Sequence, residues 1–80
     1  MWSLRYTTEA TAGIYLIPRG PAAMVTEAIR ALQRVPLPYE ATLEPTGRPN
    51  TYVLTIAEYN ITYELAEQEQ IVKILLVEEA

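Results

Sequence analysis

The sequence predicts an α+β domain over residues 1–80, with two N-terminal helices packed on one face of a mostly antiparallel four-stranded sheet. Three observations indicate this class. Half of the residues are apolar, which is enough for a core. Apolar residues recur at helical spacing in the first half of the chain and alternate with a period of two after residue 50. Helices that precede a run of antiparallel strands are typical of α+β domains.

A short strand and a short helix are predicted at the start of the chain. Residues 2–6 alternate apolar with polar side chains, which is typical of a strand with one buried face. Thr7 or Thr8 can cap a helix by accepting a hydrogen bond from a free backbone amide of its first turn. We expect this helix over residues 8–17, because Pro18 ends it.

A second and longer helix is predicted from Pro21, since proline is favoured in the first helical turn. Pro36 and Pro38 end it. Its apolar positions lie at helical spacing: Val25, Ala28, Ile29, Leu32 and Val35. Residues 36–50 contain four of the six prolines, so we expect a stiff connection there.

Three strands are predicted in the last thirty residues. Residues 52–56 and 59–65 alternate apolar with polar side chains, and residues 67–70 form a polar turn. Residues 71–77 are apolar on both faces except at Lys73, which is typical of a central strand. Short connections between the three strands indicate an antiparallel meander and complete the order β-α-α-β-β-β.

Composition excludes several classes of function. The chain has no cysteine and no histidine, so it lacks thiolate chemistry, the commonest general base and the commonest zinc ligand. No motif for a metal, a phosphate or another cofactor is present, and we expect none to be bound. The net charge is −4, and residues 51–80 hold one lysine against six glutamates, which disfavours direct binding of nucleic acid. We expect a cytoplasmic protein, because neither a signal peptide nor a membrane-spanning segment is apparent.

Several stretches, taken in order, resemble the RelE/ParE toxin superfamily of type II toxin–antitoxin modules. Tyr-Thr-Thr-Glu-Ala at 6–10 resembles the family's first strand entering its first helix, and Leu-Ile-Pro-Arg at 16–19 resembles the break between helices. Residues 28–32 resemble the second helix, and residues 52–56 and 59–65 resemble the paired strands. The resemblance covers nearly the whole chain. It implies an antitoxin-like peptide as a partner, and a homodimer is also open.

The resemblance also implies the position of an active groove. At the positions of this groove the sequence departs from the family. The matching positions are Val53, Thr55, Asn60, Glu79 and Ala80. RNA-cleaving members carry basic residues at these places, because cleavage without a metal needs cations to stabilise charge on the phosphate. We therefore predict no catalytic residues of the RelE type. The adjacent Glu78 and Glu79 should point to opposite faces of their strand.

A partner surface is predicted on the sheet face that the helices leave open, where an apolar strip in either register would remain exposed. The candidate partner-binding residues are Arg48, Lys73, Leu75 and Val77. The leading interpretation is a toxin-type protein that acts by protein binding without RelE-type mRNA cleavage. The alternatives are a non-toxic descendant that serves as an interaction or regulatory module, and a ribosome-dependent mRNA endonuclease with non-standard residues. ParE-like members, which act on DNA gyrase, also do without the RNase residues, but no residue here indicates gyrase.

Overall fold

A computed structural model describes residues 1–80 as two helices and a five-stranded sheet. The elements are β1 Ser3–Tyr6, α1 Thr8–Tyr15, α2 Arg19–Ala31, β2 Thr42–Leu43, β3 Thr51–Ile56, β4 Tyr59–Ala66 and β5 Ile71–Glu79. The strand order across the sheet is β1-β5-β4-β3-β2, and only the β1–β5 pair is parallel. This arrangement confirms the predicted α+β class and the central position of the last strand. Neither helix has the length and apolar character needed to span a membrane.

One strand was not predicted from the sequence. β2 lies in the proline-rich connection, where Thr42 pairs with Val53 and Leu43 pairs with Tyr52. Such a short strand cannot display the alternation of apolar and polar side chains from which strands are predicted. Proline lacks the amide that a longer ladder would need, so Pro45 keeps this edge strand short.

Both helices begin near the predicted residues and end earlier. The Thr7 side chain caps α1 by accepting a hydrogen bond from the Ala10 amide at 3.0 Å. α2 begins at Arg19 with Pro18 in the N-cap position. Pro21 therefore lies within the first turn, where its missing amide costs little because amides there have no helical partner.

The sheet packs its helix face against α1 and α2 to form the core. Cross-strand partners share a sheet face, so Tyr52 lies beside Tyr63, with 5.9 Å between ring centroids, and Leu54 lies beside Ile61. Side chains of both helices, of the residues just after them and of three strands form one buried cluster: Ala10, Ile17, Val25, Ile29, Leu32, Leu54, Ile61, Tyr63, Leu65, Val72, Ile74 and Val77. Burial of each large apolar side chain stabilises the fold by about 2 kcal/mol.

A bulge in β5 changes which of its side chains face the helices. Thr62 pairs with Leu76 and Tyr63 pairs with Ile74, which leaves Leu75 without a partner in β4. The extra residue shifts the alternation, so Val77 joins the helix face and is only 3% exposed. Sequence alternation alone does not reveal this shift.

Tyr63 ties the connection after α2 to the sheet. It is 0% exposed, and its hydroxyl donates a hydrogen bond to the Pro36 carbonyl at 2.9 Å. Desolvation by burial, with a smaller contribution from Tyr52, raises the pKa of Tyr63 to about 12. The folded state therefore favours the neutral, protonated form of the Tyr63 side chain.

Tyr63→Phe is expected to lower the free energy of unfolding by about 1 kcal/mol, because the Pro36 carbonyl loses its donor. The wild type should also lose stability between pH 10 and pH 12, since the unfolded chain releases the Tyr63 proton in that range and the folded chain retains it. Urea unfolding at several pH values measures both effects. The variant should show a shallower alkaline loss, whereas Tyr15→Phe, at an exposed tyrosine, should behave like the wild type. Identical alkaline profiles for all three proteins would contradict this role of Tyr63.

Candidate functional site

A shallow groove of about 440 Å³ lies on the face of the sheet opposite the helices, here called the open face. Its floor comes from β3 and β4, and its rim comes from the end of β5 and the loop after β2. The lining residues are Thr42, Glu44, Pro45, Thr46, Val53, Thr55, Asn60, Thr62 and Glu78. Hydroxyl, amide and carboxylate groups therefore dominate a concave surface.

Strand register brings three of the predicted groove positions together. Val53 pairs with Thr62, and Thr55 pairs with Asn60, so all four side chains lie on the open face. The Thr55 hydroxyl donates a hydrogen bond to Asn60 Oδ1 at 2.6 Å. This bond holds the two side chains against each other and leaves the Asn60 amide nitrogen as a free donor.

The two C-terminal positions that were assigned to the groove lie elsewhere. Glu79 pairs with Tyr59 and borders a pocket on the helix face, and the Ala80 amide donates to the Glu58 carbonyl at 2.9 Å. Glu78 enters the groove instead, because it pairs with Asn60 on the open face. The prediction that Glu78 and Glu79 point to opposite faces is confirmed. The bulge in β5 decides that Glu78, and not Glu79, lies on the open face, and the sequence did not indicate this bulge.

Glu44 is a second groove residue that the sequence did not indicate. It accepts hydrogen bonds from the Thr46 hydroxyl, the Thr46 amide at 3.0 Å and the Arg48 amide at 3.5 Å. The Thr46 hydroxyl contributes most, and the Arg48 charge adds to it, so the pKa of Glu44 lies below its usual value. Glu44 is thus ionised at neutral pH.

The charge of the groove is negative. Its lining contains two carboxylates, Glu44 and Glu78, and no lysine or arginine side chain. Such a surface repels the phosphate backbone of a nucleic acid. No three acidic side chains come close enough together to hold a metal ion.

The predicted partner-binding residues are separated in the structure. Arg48 is exposed in the loop beside the groove, and Lys73 is exposed on the open face between Arg5 of β1 and Glu64 of β4. Leu75 is half-buried at the bulge. Val77 is a correction, because it lies beneath α1 on the helix face and cannot contact a partner on the open face.

Comparison with solved structures identifies proteins that have a similar fold. No protein-family model and no curated protein matches the chain. The toxin–antitoxin complex RelBE2 from Mycobacterium tuberculosis contains a chain with a TM-score of 0.83 and 24% identity, and the match covers 99% of this chain and 98% of that chain. The intact E. coli RelBE complex gives a TM-score of 0.86 at 15% identity, with coverage of 100% and 98%. A chromosomal ParDE system from P. aeruginosa gives 0.70 at 20%, with coverage of 100% and 97%. The chain therefore has the RelE/ParE fold, as the sequence resemblance predicts.

Proposed function

We propose that this protein is the toxin-type member of a toxin–antitoxin pair and that it acts by binding another protein, without RelE-type mRNA cleavage. The fold supports the first part, since the matched structures include toxins in complex with their antitoxins. The observation that carries the second part is the acidic groove on the open face. Residues 1–80 act as one domain in the cytoplasm, with an antitoxin-like peptide as the expected partner.

The chemistry of the groove supports protein binding. Cleavage of RNA without a metal requires a group that activates the 2′-hydroxyl and fixed positive charge that stabilises the phosphate. Thr55 and Asn60 are neutral and hydrogen-bonded to each other, and Val53 is apolar. Glu78 would add repulsion at the phosphate. A partner protein whose surface carries hydrogen-bond donors can bind the threonine hydroxyls and the two carboxylates of the groove without electrostatic repulsion.

A second candidate is a non-toxic descendant that uses the same groove as an interaction module. The two carboxylates of the groove favour it as much as they favour a protein-binding toxin. Growth of cells that express the protein separates the two, and mRNA analysis separates both from an endonuclease with non-standard residues.

Induction of the wild-type protein alone in a bacterial host is expected to arrest growth, and co-expression of the product of the adjacent reading frame should relieve the arrest. Primer extension on mRNA from arrested cells should reveal no ribosome-dependent cuts. Glu78→Lys should weaken the arrest, because it reverses a charge in the groove. Glu67→Lys, in the exposed turn between β4 and β5, serves as the matched control and should retain it.

Two other outcomes would contradict the proposal, and each favours one of the two alternative functions. Arrest with newly cut mRNA contradicts the proposal and favours the endonuclease. Normal growth with soluble protein accumulating contradicts a toxin and favours the descendant.

A further inference from the structure

Three threonine hydroxyls of the groove on the open face present acceptors to a ligand. The Thr42 hydroxyl donates to a backbone carbonyl of β3 at 3.4 Å. The Thr46 hydroxyl donates to the Glu44 carboxylate. The Thr55 hydroxyl donates to Asn60 Oδ1 at 2.6 Å. Each hydroxyl has only one proton, and that proton is already used, so its oxygen offers a ligand lone pairs alone.

Glu44 offers a ligand one of its two carboxylate oxygens. Its Oε1 accepts all three hydrogen bonds that the loop after β2 supplies, from the Thr46 hydroxyl and from the Thr46 and Arg48 amides. These bonds hold the carboxylate in place and leave Oε2 free of the loop. A side chain that is already fixed loses little conformational freedom when a ligand binds it.

Glu78 provides a second carboxylate at the rim of the same groove. It is exposed near the end of β5 and is the cross-strand partner of Asn60. Because Asn60 Oδ1 already accepts from Thr55, the amide nitrogen of Asn60 remains a free donor beside these acceptors. The groove therefore combines two carboxylates and three threonine oxygens with one amide donor.

The cations of the open face lie outside the lining of the groove. Lys73 of β5 and Arg5 of β1 are neighbours, and Lys73 is also paired with Glu64 of β4. Arg48 is beside the groove, and its charge contributes to the lowered pKa of Glu44. The two carboxylates of the lining still outnumber the single charge of Arg48, so the groove stays negative.

We infer that the groove binds a lysine side chain that a partner protein presents from a protruding loop or chain end. An ammonium group has three donors and no acceptor, which matches a concave surface of carboxylate and threonine oxygens. The Asn60 amide nitrogen is available to a backbone carbonyl of the same segment. Because it names the partner chemistry of the same groove, this inference rests on the proposed function.

Lysine fits this groove better than arginine does. The planar fork of arginine binds best when both oxygens of one carboxylate are free. Oε1 of Glu44 is occupied, so the fork finds only one oxygen there. Glu78 has an exposed carboxylate at the rim, where water screens an ion pair. An ammonium group takes single oxygens from several groups, so it uses Glu44 and the threonines together.

Three short peptides that differ at one position test the inference. The central residue is lysine, arginine or acetyl-lysine, and both ends are blocked so that this side chain carries the only charge. Binding to the isotopically labelled full chain is followed by NMR at millimolar peptide, and the Asn60 side-chain amide should shift most. We expect the arginine peptide to bind about 3-fold more weakly and the acetyl-lysine peptide about 10-fold more weakly, since acetylation removes the charge. Equal affinities for lysine and acetyl-lysine, or no binding of either, would overturn the inference.

Matched substitutions localise the binding. Glu44→Gln and Glu78→Gln should each weaken the lysine peptide about 3-fold to 5-fold, the range of a solvent-accessible ion pair. Glutamine at position 44 keeps an oxygen that accepts from the loop, so the loop should stay in place. Glu64→Gln is the control, because it lies on the same face but four residues from Asn60, about 13 Å along β4 and beyond the Debye length of about 8 Å. Equal loss in all three variants would show attraction to the whole face and overturn the inference.

Two further measurements separate the source of the lysine from the fate of the proposed function. Lys73 is the only lysine of the chain. A wild-type dimer in sedimentation velocity that Lys73→Gln converts to a monomer would show that a second copy fills the groove, which overturns the inference. Growth arrest by the wild type without lysine-dependent binding would overturn the inference alone. Lysine-dependent binding by a protein that does not arrest growth would support the inference and contradict a toxin.

Discussion

Gly13→Ala is expected to lower the free energy of unfolding by about 3 kcal/mol, because the added methyl group has no space. A β-carbon at this position would lie closer than 3.0 Å to the carbonyl oxygen of Val77 and 3.1 Å from its carbonyl carbon. These atoms belong to the backbone of β5, which is paired with β1 on one side and β4 on the other. Such a strand cannot yield as a flexible side chain would, so α1 must move off the sheet.

Gly20→Ala is the matched control for this prediction. A β-carbon at position 20 would have no atom within 4 Å, and the residue lies in the first turn of α2. Alanine there should leave stability unchanged or raise it by about 0.5 kcal/mol, because it reduces the freedom of the unfolded chain. Urea unfolding followed by circular dichroism compares the two variants with the wild type. Equal midpoints for Gly13→Ala and the wild type would contradict the close contact between α1 and β5.

The role of Gly13 illustrates what sequence patterns can and cannot supply. Helical spacing and strand alternation are local properties, and they predicted both helices, the last three strands and the central position of β5. Glycine within a predicted helix indicates only a local weakening of that helix. Its reason here is a contact with a strand at the far end of the chain, which no local pattern contains.

The candidate site was predictable to a similar extent. Alternation and the resemblance placed Val53, Thr55 and Asn60 near one another, and the register of β3 with β4 accounts for that. The rim was not predictable, because Glu44 reaches the groove through a loop and Glu78 reaches it through a bulge. Loops and bulges depend on contacts between distant segments, so the acidic character of the groove emerged only in three dimensions.

The hairpin turn between β3 and β4 carries unfavourable backbone conformations next to two strand residues of the groove, Thr55 and Asn60. Ala57 has φ of 52° and Glu58 has φ of 68°, in the left-handed region that favours glycine and asparagine. The tight two-residue connection requires these values, since strands of matching twist are best joined by a turn of this type. The turn thereby holds Ile56 beside Tyr59 on the helix face and Thr55 beside Asn60 on the open face. The placement of Thr55 beside Asn60 in the groove thus depends on one short hairpin.

Ile29→Ala is expected to lower the free energy of unfolding by about 2–4 kcal/mol, because it removes buried carbons and leaves a cavity. Ile29 is 1% exposed at the centre of the interface between α2 and the sheet. α2 has no side-chain cap at its N-terminus, and its first turn has no acidic residue. Its position therefore depends on packing through Val25, Ile29 and Leu32 more than on local helix signals.

Met24→Ala on the same helix provides the comparison. Met24 is 56% exposed, so its loss should change stability by about 0.5 kcal/mol or less. Urea midpoints of the two variants, with unchanged slopes, give the difference directly. A small effect at Ile29, similar to that at Met24, would mean that α2 does not pack as described.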